Sequence, residues 1–181
     1  KNSENSIAKE HAENADYLSR IKSMPNKYNI ATFNVNSIKS DFGPNYYTKD
    51  GETHLIFASA RVSNTSLVNK ESQWDGSNFF DAYESSIGVD GESTGVKRFN
   101  RGFKSKYHEG PVSFSNNGTV MYLTRSNYLD KKKGLDSSRH NNIKLYIATV
   151  NSKGDWSDLV SFSHNSDSYS LGHATVTEDG K

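Results

Sequence analysis

The chain contains no cysteine, which removes disulfides, thiolate metal ligands and a cysteine nucleophile together. Proline is scarce at three residues, and methionine and tryptophan number two each. Apolar residues make up only 33% of the 181 positions and mean hydropathy is −0.82. No apolar run approaches the roughly 18 residues needed for a membrane-spanning helix. An excess of charge is missing too. The 22 Lys and Arg residues nearly balance 21 Asp and Glu, for a net charge of +1, so no global field recruits nucleic acid or an anionic membrane. The densest basic run, Lys131-Lys132-Lys133 before Gly134, reads as a solvated loop, with an anion contact as the alternative.

What the chain does have is ten tyrosines and nine phenylalanines, set among many Ser and Asn. Aromatic side chains suit the half-buried pleated surface of a sheet, and Ser and Asn suit turns. An all-β fold is the expectation. Residues 1–16 are polar and read as a tail, linker or short helix. From Tyr17 the apolar side chains alternate on either side of Pro25-Asn26, which predicts a hairpin over residues 17–38.

The remainder is repetitive. Gly43-Pro44 leads through Tyr46-Tyr47 to Asp50-Gly51, and Gly110-Pro111 leads through Val112 and Phe114 to Asn117-Gly118. A third copy runs from Tyr169 through Gly172-His173-Ala174 to Asp179-Gly180. Asp-Gly and Asn-Gly favour tight hairpins, because a type I′ turn needs positive φ at both central residues. After the first two turns come the apolar segments His54–Arg61 and Val120–Arg125, then polar insertions at 62–78 and 126–142, then Phe79–Ser85 and Ile143–Val150. These boundaries give repeats at 39–105 and 106–167 and the start of a third at 168–181. Four short strands per unit is the anatomy of a propeller blade.

At this point the strings Lys106–Phe114, Val120–Tyr128, Lys144–Thr149 and Ser40–Arg61 resemble the WD-like, TolB-type β-propeller repeats of Bacteroidetes OmpA-family proteins. The resemblance covers residues 17–181. It implies four-stranded antiparallel blades, about two to three of them in this chain, and hence an incomplete propeller that is a segment of a longer protein. It also implies a periplasmic, outer-membrane-associated place, in some members within type IX secretion and gliding machinery. Protein partners of the outer membrane or periplasm follow from it, with peptidoglycan reached through a domain outside this chain.

Candidate chemistry is sparse. The six histidines show no helical ligand spacing, and no nucleophile elbow, phosphate loop or dinucleotide fingerprint occurs. Gly88–Ser93 lacks the spaced carboxylates of a calcium loop. No catalytic, metal or cofactor residue is nominated, and no cofactor is expected. Arg61 and Arg125 end the second strands at matching positions, and His108 with Glu109 stands at a strand entry. An internal structural role is the first reading of these four, and partner binding the second. Tyr46, Tyr47, Phe57, Tyr83, Tyr122, Tyr146 and Trp156 are expected to pack between sheets. The function expected is that of a non-catalytic interaction scaffold whose insertions carry the binding surface. The alternatives are a glycan-binding propeller or a glycan or peptide hydrolase.

Overall fold

The structure is a computed structural model that describes residues 6–14, 16–25, 27–29, 32–62, 71–72, 76–99, 101–103, 105–115 and 118–177. The chain divides into two units, residues 1–33 and 34–181.

The first unit is helical. Helix α1 spans Ser6–Glu13 and α2 spans Tyr17–Ser23, and neither buries a side chain. The expected hairpin over 17–38 is therefore corrected: its first arm is a helix. Tyr17, Leu18 and Ile21 sit at spacings that suit one helical face as well as a strand, and a run this short does not separate the two. The stop is sharper than the start. Met24 has ψ of 139°, the extended conformation imposed on a residue preceding proline, and it ends α2 at Pro25. Among the described residues no helix is long and apolar enough to cross a membrane.

The second unit is built of antiparallel sheet. Sheet I has the order β1-β2-β3-β4, from Asp41–Lys49, Glu52–Ser59, Asp81–Ile87 and Ser93–Arg98. Sheet II has the order β5-β6-β9-β10, from Glu109–Ser115, Val120–Arg125, Lys144–Thr149 and Val160–Ser161. Both are simple meanders, so each strand pairs with its neighbour in sequence apart from one interruption. That interruption is a small hairpin, β7 (Tyr128–Leu129) and β8 (Lys132–Lys133), rising from the 126–142 insertion. The 62–78 insertion lies mostly outside the described residues. The β1–β2 turn has the expected chemistry, with φ of 53° at Asp50 and 80° at Gly51.

The third repeat departs from expectation. Residues 171–177 form no strand, and 178–181 lie outside the described residues. The segment nevertheless starts across sheet II: Leu171 N–H donates to Ile143 O at 3.0 Å, and a Cβ on Gly172 would stand 2.6 Å from Thr124 Cγ2.

The Gly-Pro repeat has a packing cause. Each first strand carries a bulge there, between Phe42 and Asn45 in β1 and between Glu109 and Val112 in β5. Strand β5 runs close to β1, β2 and β3, so the two bulges meet. A Cβ on Gly43 would lie 2.5 Å from Pro111 Cβ, and one on Gly110 would lie 2.8 Å from Ala58 Cβ. Both glycines also have positive φ, 62° and 97°, which other residues adopt only with strain. Below this contact lies the core: Tyr47, Ile56, Ala82, Phe99, Phe103, Val112, Met121, Leu123 and Ala148, with Phe114, Trp156 and Leu159 against it. Tyr47 stacks on Phe114 with centroids 4.5 Å apart, and Phe114 meets Trp156 at 5.9 Å. Such ring pairs add to simple area burial. Tyr46, in contrast, is 60% exposed, so the expectation that it packs between sheets is corrected: Tyr47, next along β1, takes the inward place.

Candidate functional site

Asp41, Arg61, Asp81, Arg98, Glu109, Arg125 and Lys144, all shielded from solvent, gather at the end of the sheets from which both insertions leave. The chain enters β1 and β5 there through the same turn. Ser37 Oγ accepts from Lys39 N–H and its own N–H donates to Asp41 Oδ2 at 2.6 Å. Ser105 Oγ likewise accepts from Tyr107 N–H, and Ser105 N–H donates to Glu109 Oε1. The serine hydroxyl satisfies one backbone donor, and the acid four residues on accepts the serine's own N–H, which fixes the carboxylate as the strand begins.

Each carboxylate has an arginine near it. The Arg61 guanidinium donates to Asp41 Oδ1 at 3.0 Å and to Val35 O at 2.7 Å, and its Nε donates to Ser59 Oγ at 2.8 Å. It lies 4.9 Å from the Phe57 ring centroid and 5.2 Å from that of Tyr83. The Arg125 guanidinium donates to Phe103 O at 3.0 Å and to Tyr128 O, and lies 4.8 Å from the Tyr146 centroid. Val35 and Phe103 hold the same place relative to the two acids, and Tyr83 and Tyr146 both belong to third strands. The two constellations correspond in the entry turn, in the carbonyl ahead of it and in the third-strand tyrosine.

Their register does not. Just before the bulge, Phe42 pairs with Ala58 and Glu109 pairs with Arg125. Arg125 thus occupies the rung of Ala58, and the expectation that Arg61 and Arg125 end their strands at matching positions is corrected. Arg61 comes three residues later and folds back over Phe57. The long, planar side chain bridges the difference, so the guanidinium groups reach similar targets from unequal rungs.

The electrostatics diverge as well. Burial pushes the Asp41 carboxyl up, but hydrogen bonds from Ser59, Ser37 and Arg61 outweigh it and hold it below its usual range. Glu109 is only 6% exposed. Burial, reinforced by the nearby Asp81 charge, raises it to about 7 against the pull of Ser105 N–H and Arg125. Asp81 itself pairs with Arg98, whose guanidinium lies 6.0 Å from the Tyr83 centroid. Among the described residues, Nε of both Arg98 and Arg125 is buried without a hydrogen-bond partner.

Of the four residues nominated for partner contact, Glu109 and Arg125 are buried and Arg61 has 17% of its side chain exposed. His108 accepts Phe80 N–H on Nδ1 at 3.3 Å and packs on Phe79 and Phe80. The structure gives all four internal contacts, and His108 and the Glu109 backbone reach Phe80 ahead of β3. Asp41, Asp81, Arg98 and Lys144 belong to the same region and were missed. Lys144 is 3% exposed and caps the carbonyls of Ser166 and Tyr169; burial lowers its pKa, with Asp167 opposing. The signal for the acids was present as Ser-x-x-x-Asp and Ser-x-x-x-Glu just ahead of Gly-Pro.

The second insertion stands over this region in a fixed form. Asn141 exchanges hydrogen bonds with the backbone of Asn127 at 3.0 and 2.9 Å and donates to Gly134 O at 2.7 Å, closing the base of the β7–β8 hairpin. Tyr107 meets Tyr128 edge-on at 5.3 Å, and Lys133 Nζ sits 5.2 Å from the Tyr107 centroid. No protein-family model, curated protein or solved structure matches the chain.

Proposed function

We propose that the chain is a non-catalytic interaction scaffold: sheets I and II are consecutive blades of a WD-like, TolB-type propeller in a periplasmic, outer-membrane-associated protein of the OmpA family. One observation carries this reading. Two meanders of the same strand order share a Gly-Pro bulge, a serine-acid entry turn and an arginine over a third-strand tyrosine. Equivalent parts built twice from dissimilar strings are what a repeat architecture requires, because each unit covers the face of its neighbour.

The scaffold reading draws further support from where the polar groups are used. Glu109, Arg125, Asp81 and Arg98 hold strand ends and entry turns together, as joints do. Variable chain is left to the insertions at one end, which is where function on a repeat fold is carried. Replacing 62–78 or 126–142 by a tight turn, with folding checked by thermal melting, tests this. Quantitative partner capture from an outer-membrane extract is expected to be lost with at least one replacement. Undiminished capture by both shortened chains would remove the insertions from the binding surface.

A further inference from the structure

We propose that the β7–β8 hairpin is a docking site for an acidic segment of a protein partner. Lys131, Lys132 and Lys133 are exposed on it, with exposed Lys106 and Arg139 from flanking turns. The hairpin is not a loose loop. Its base is clamped by Asn127, Asn141 and Gly134, and Lys133 is propped on Tyr107. A Cβ on Gly134 would collide with the Asn127 amide, so the clamp depends on that glycine. Its turn residues, Asp130 and Lys131, both have positive φ, 49° and 63°, where glycine or asparagine would fit with less strain.

The local acids do not cancel this charge. Asp136 is occupied within its own loop, accepting from Ser138 and His140 N–H at 2.9 and 2.8 Å. Asp167 accepts from Asn127 Nδ2 at 2.7 Å and stands 3.9 Å from Lys144 Nζ. Asp130 is the exposed acid on the hairpin itself. The opposite end of the sheets is acidic: Asp50, Glu52, Asp90, Glu92, Asp155 and Asp158 are exposed there, against Lys49 and Lys153. The near-zero net charge therefore conceals a separation of sign between the two ends.

That separation selects the kind of partner. A polyanion such as duplex nucleic acid or an anionic bilayer presents charge over a large area, so it would also meet Asp130 and Asp167. At physiological salt, charge is felt over about 8 Å, and a patch of this size matches a short run of Asp and Glu. The half-buried rings of Tyr107 and Tyr128 supply the apolar contact that protein interfaces favour. Charge complementarity of this kind acts mainly on encounter rate and choice of partner.

The inference rests on the scaffold reading and is tested separately from it. Fluorescence anisotropy is measured on the whole chain with a labelled peptide of Asp, Glu and Tyr, and with the same peptide carrying Asn and Gln. Binding of the acidic peptide is expected, weakening severalfold as salt rises from roughly 50 to 200 mM. It should fall at least about tenfold in K131N/K132S, a substitution that keeps the left-handed turn accessible and leaves Lys133 on Tyr107. The remote control D50N/E52Q should bind as the parent does. Equal affinity for the amide peptide, unchanged affinity in K131N/K132S, or tighter binding to phosphatidylglycerol vesicles or duplex DNA would overturn the proposal. If K131N/K132S loses the peptide yet still captures its partner from the extract, the scaffold reading stands and the docking role falls.

Discussion

The two entry joints perform the same task with different chemistry. At the first, Asp41 and Arg61 form a direct ion pair at 3.0 Å with side chains 11% and 17% exposed. At the second, Glu109 and Arg125 are both nearly sealed from solvent, and the arginine spends its donors on carbonyls rather than on the acid. A partly hydrated pair tolerates loss of a partner, because water replaces the missing bonds. A sealed one does not. The second joint also lies at the contact between sheets, since Glu109 N–H donates to Phe80 O at 2.8 Å.

The comparison breaks most visibly at Arg125. Arg125→Met should destabilise the second unit by about 3–4 kcal/mol, since it strands the buried Phe103 carbonyl and the part-buried Tyr128 carbonyl and removes a cation that holds Glu109 down; chemical denaturation measures it. Gly110→Ala comes next, at about 2–3 kcal/mol, from its close approach to Ala58 and its positive φ. Gly51→Ala, at an open turn of similar φ, should cost only about 1 kcal/mol.

The acids then tilt the pH curve in opposite directions. Glu109 titrates at about 7 when folded, well above its unfolded value, so the folded chain retains a proton that the unfolded chain gives up. Its contribution is fully present below about pH 4.5 and is lost as pH rises through about 7, a change of about 3 kcal/mol. Glu109→Gln should flatten that limb of a stability profile. Asp41, lowered on folding, contributes above its unfolded value and loses that contribution as pH falls through the folded one, so Asp41→Asn should flatten the acid limb. A comparably small effect belongs to Arg61→Met, about 1 kcal/mol, visible as a small shift in melting temperature. Equal losses for Arg61→Met and Arg125→Met would dissolve the distinction between the joints.

Much of sheets I and II could be read from residues alone. The apolar runs His54–Arg61 and Val120–Arg125, the Asp50-Gly51 turn and the repeated Gly-Pro step located strands, a reversal and strand entries, because each is a local rule; the bulges at Gly-Pro show only in the ladders. The charged region was legible only in pieces. Arg61 and Arg125 were noticed as strand-ending residues, yet their likeness lies in what the guanidinium groups reach, across a register difference of three residues that only the ladders reveal. Asp81 and Arg98 are 17 positions apart, on β3 and β4, and nothing in the string announces their pairing. Helix α2 failed for the opposite reason: Tyr17, Leu18 and Ile21 satisfy two periodicities, and local rules alone could not choose.

The nested glycines bear on how such a molecule can change over evolutionary time. The approach of one sheet to the next is set where Gly43 meets Pro111 and Gly110 meets Ala58, and the 126–142 insertion is not among the atoms met there. Loop length and sheet spacing are therefore inherited separately. An insertion can lengthen, shorten or acquire a hairpin of its own while the sheets keep their pitch, which leaves 126–142 open to innovation and holds two glycines under strict constraint.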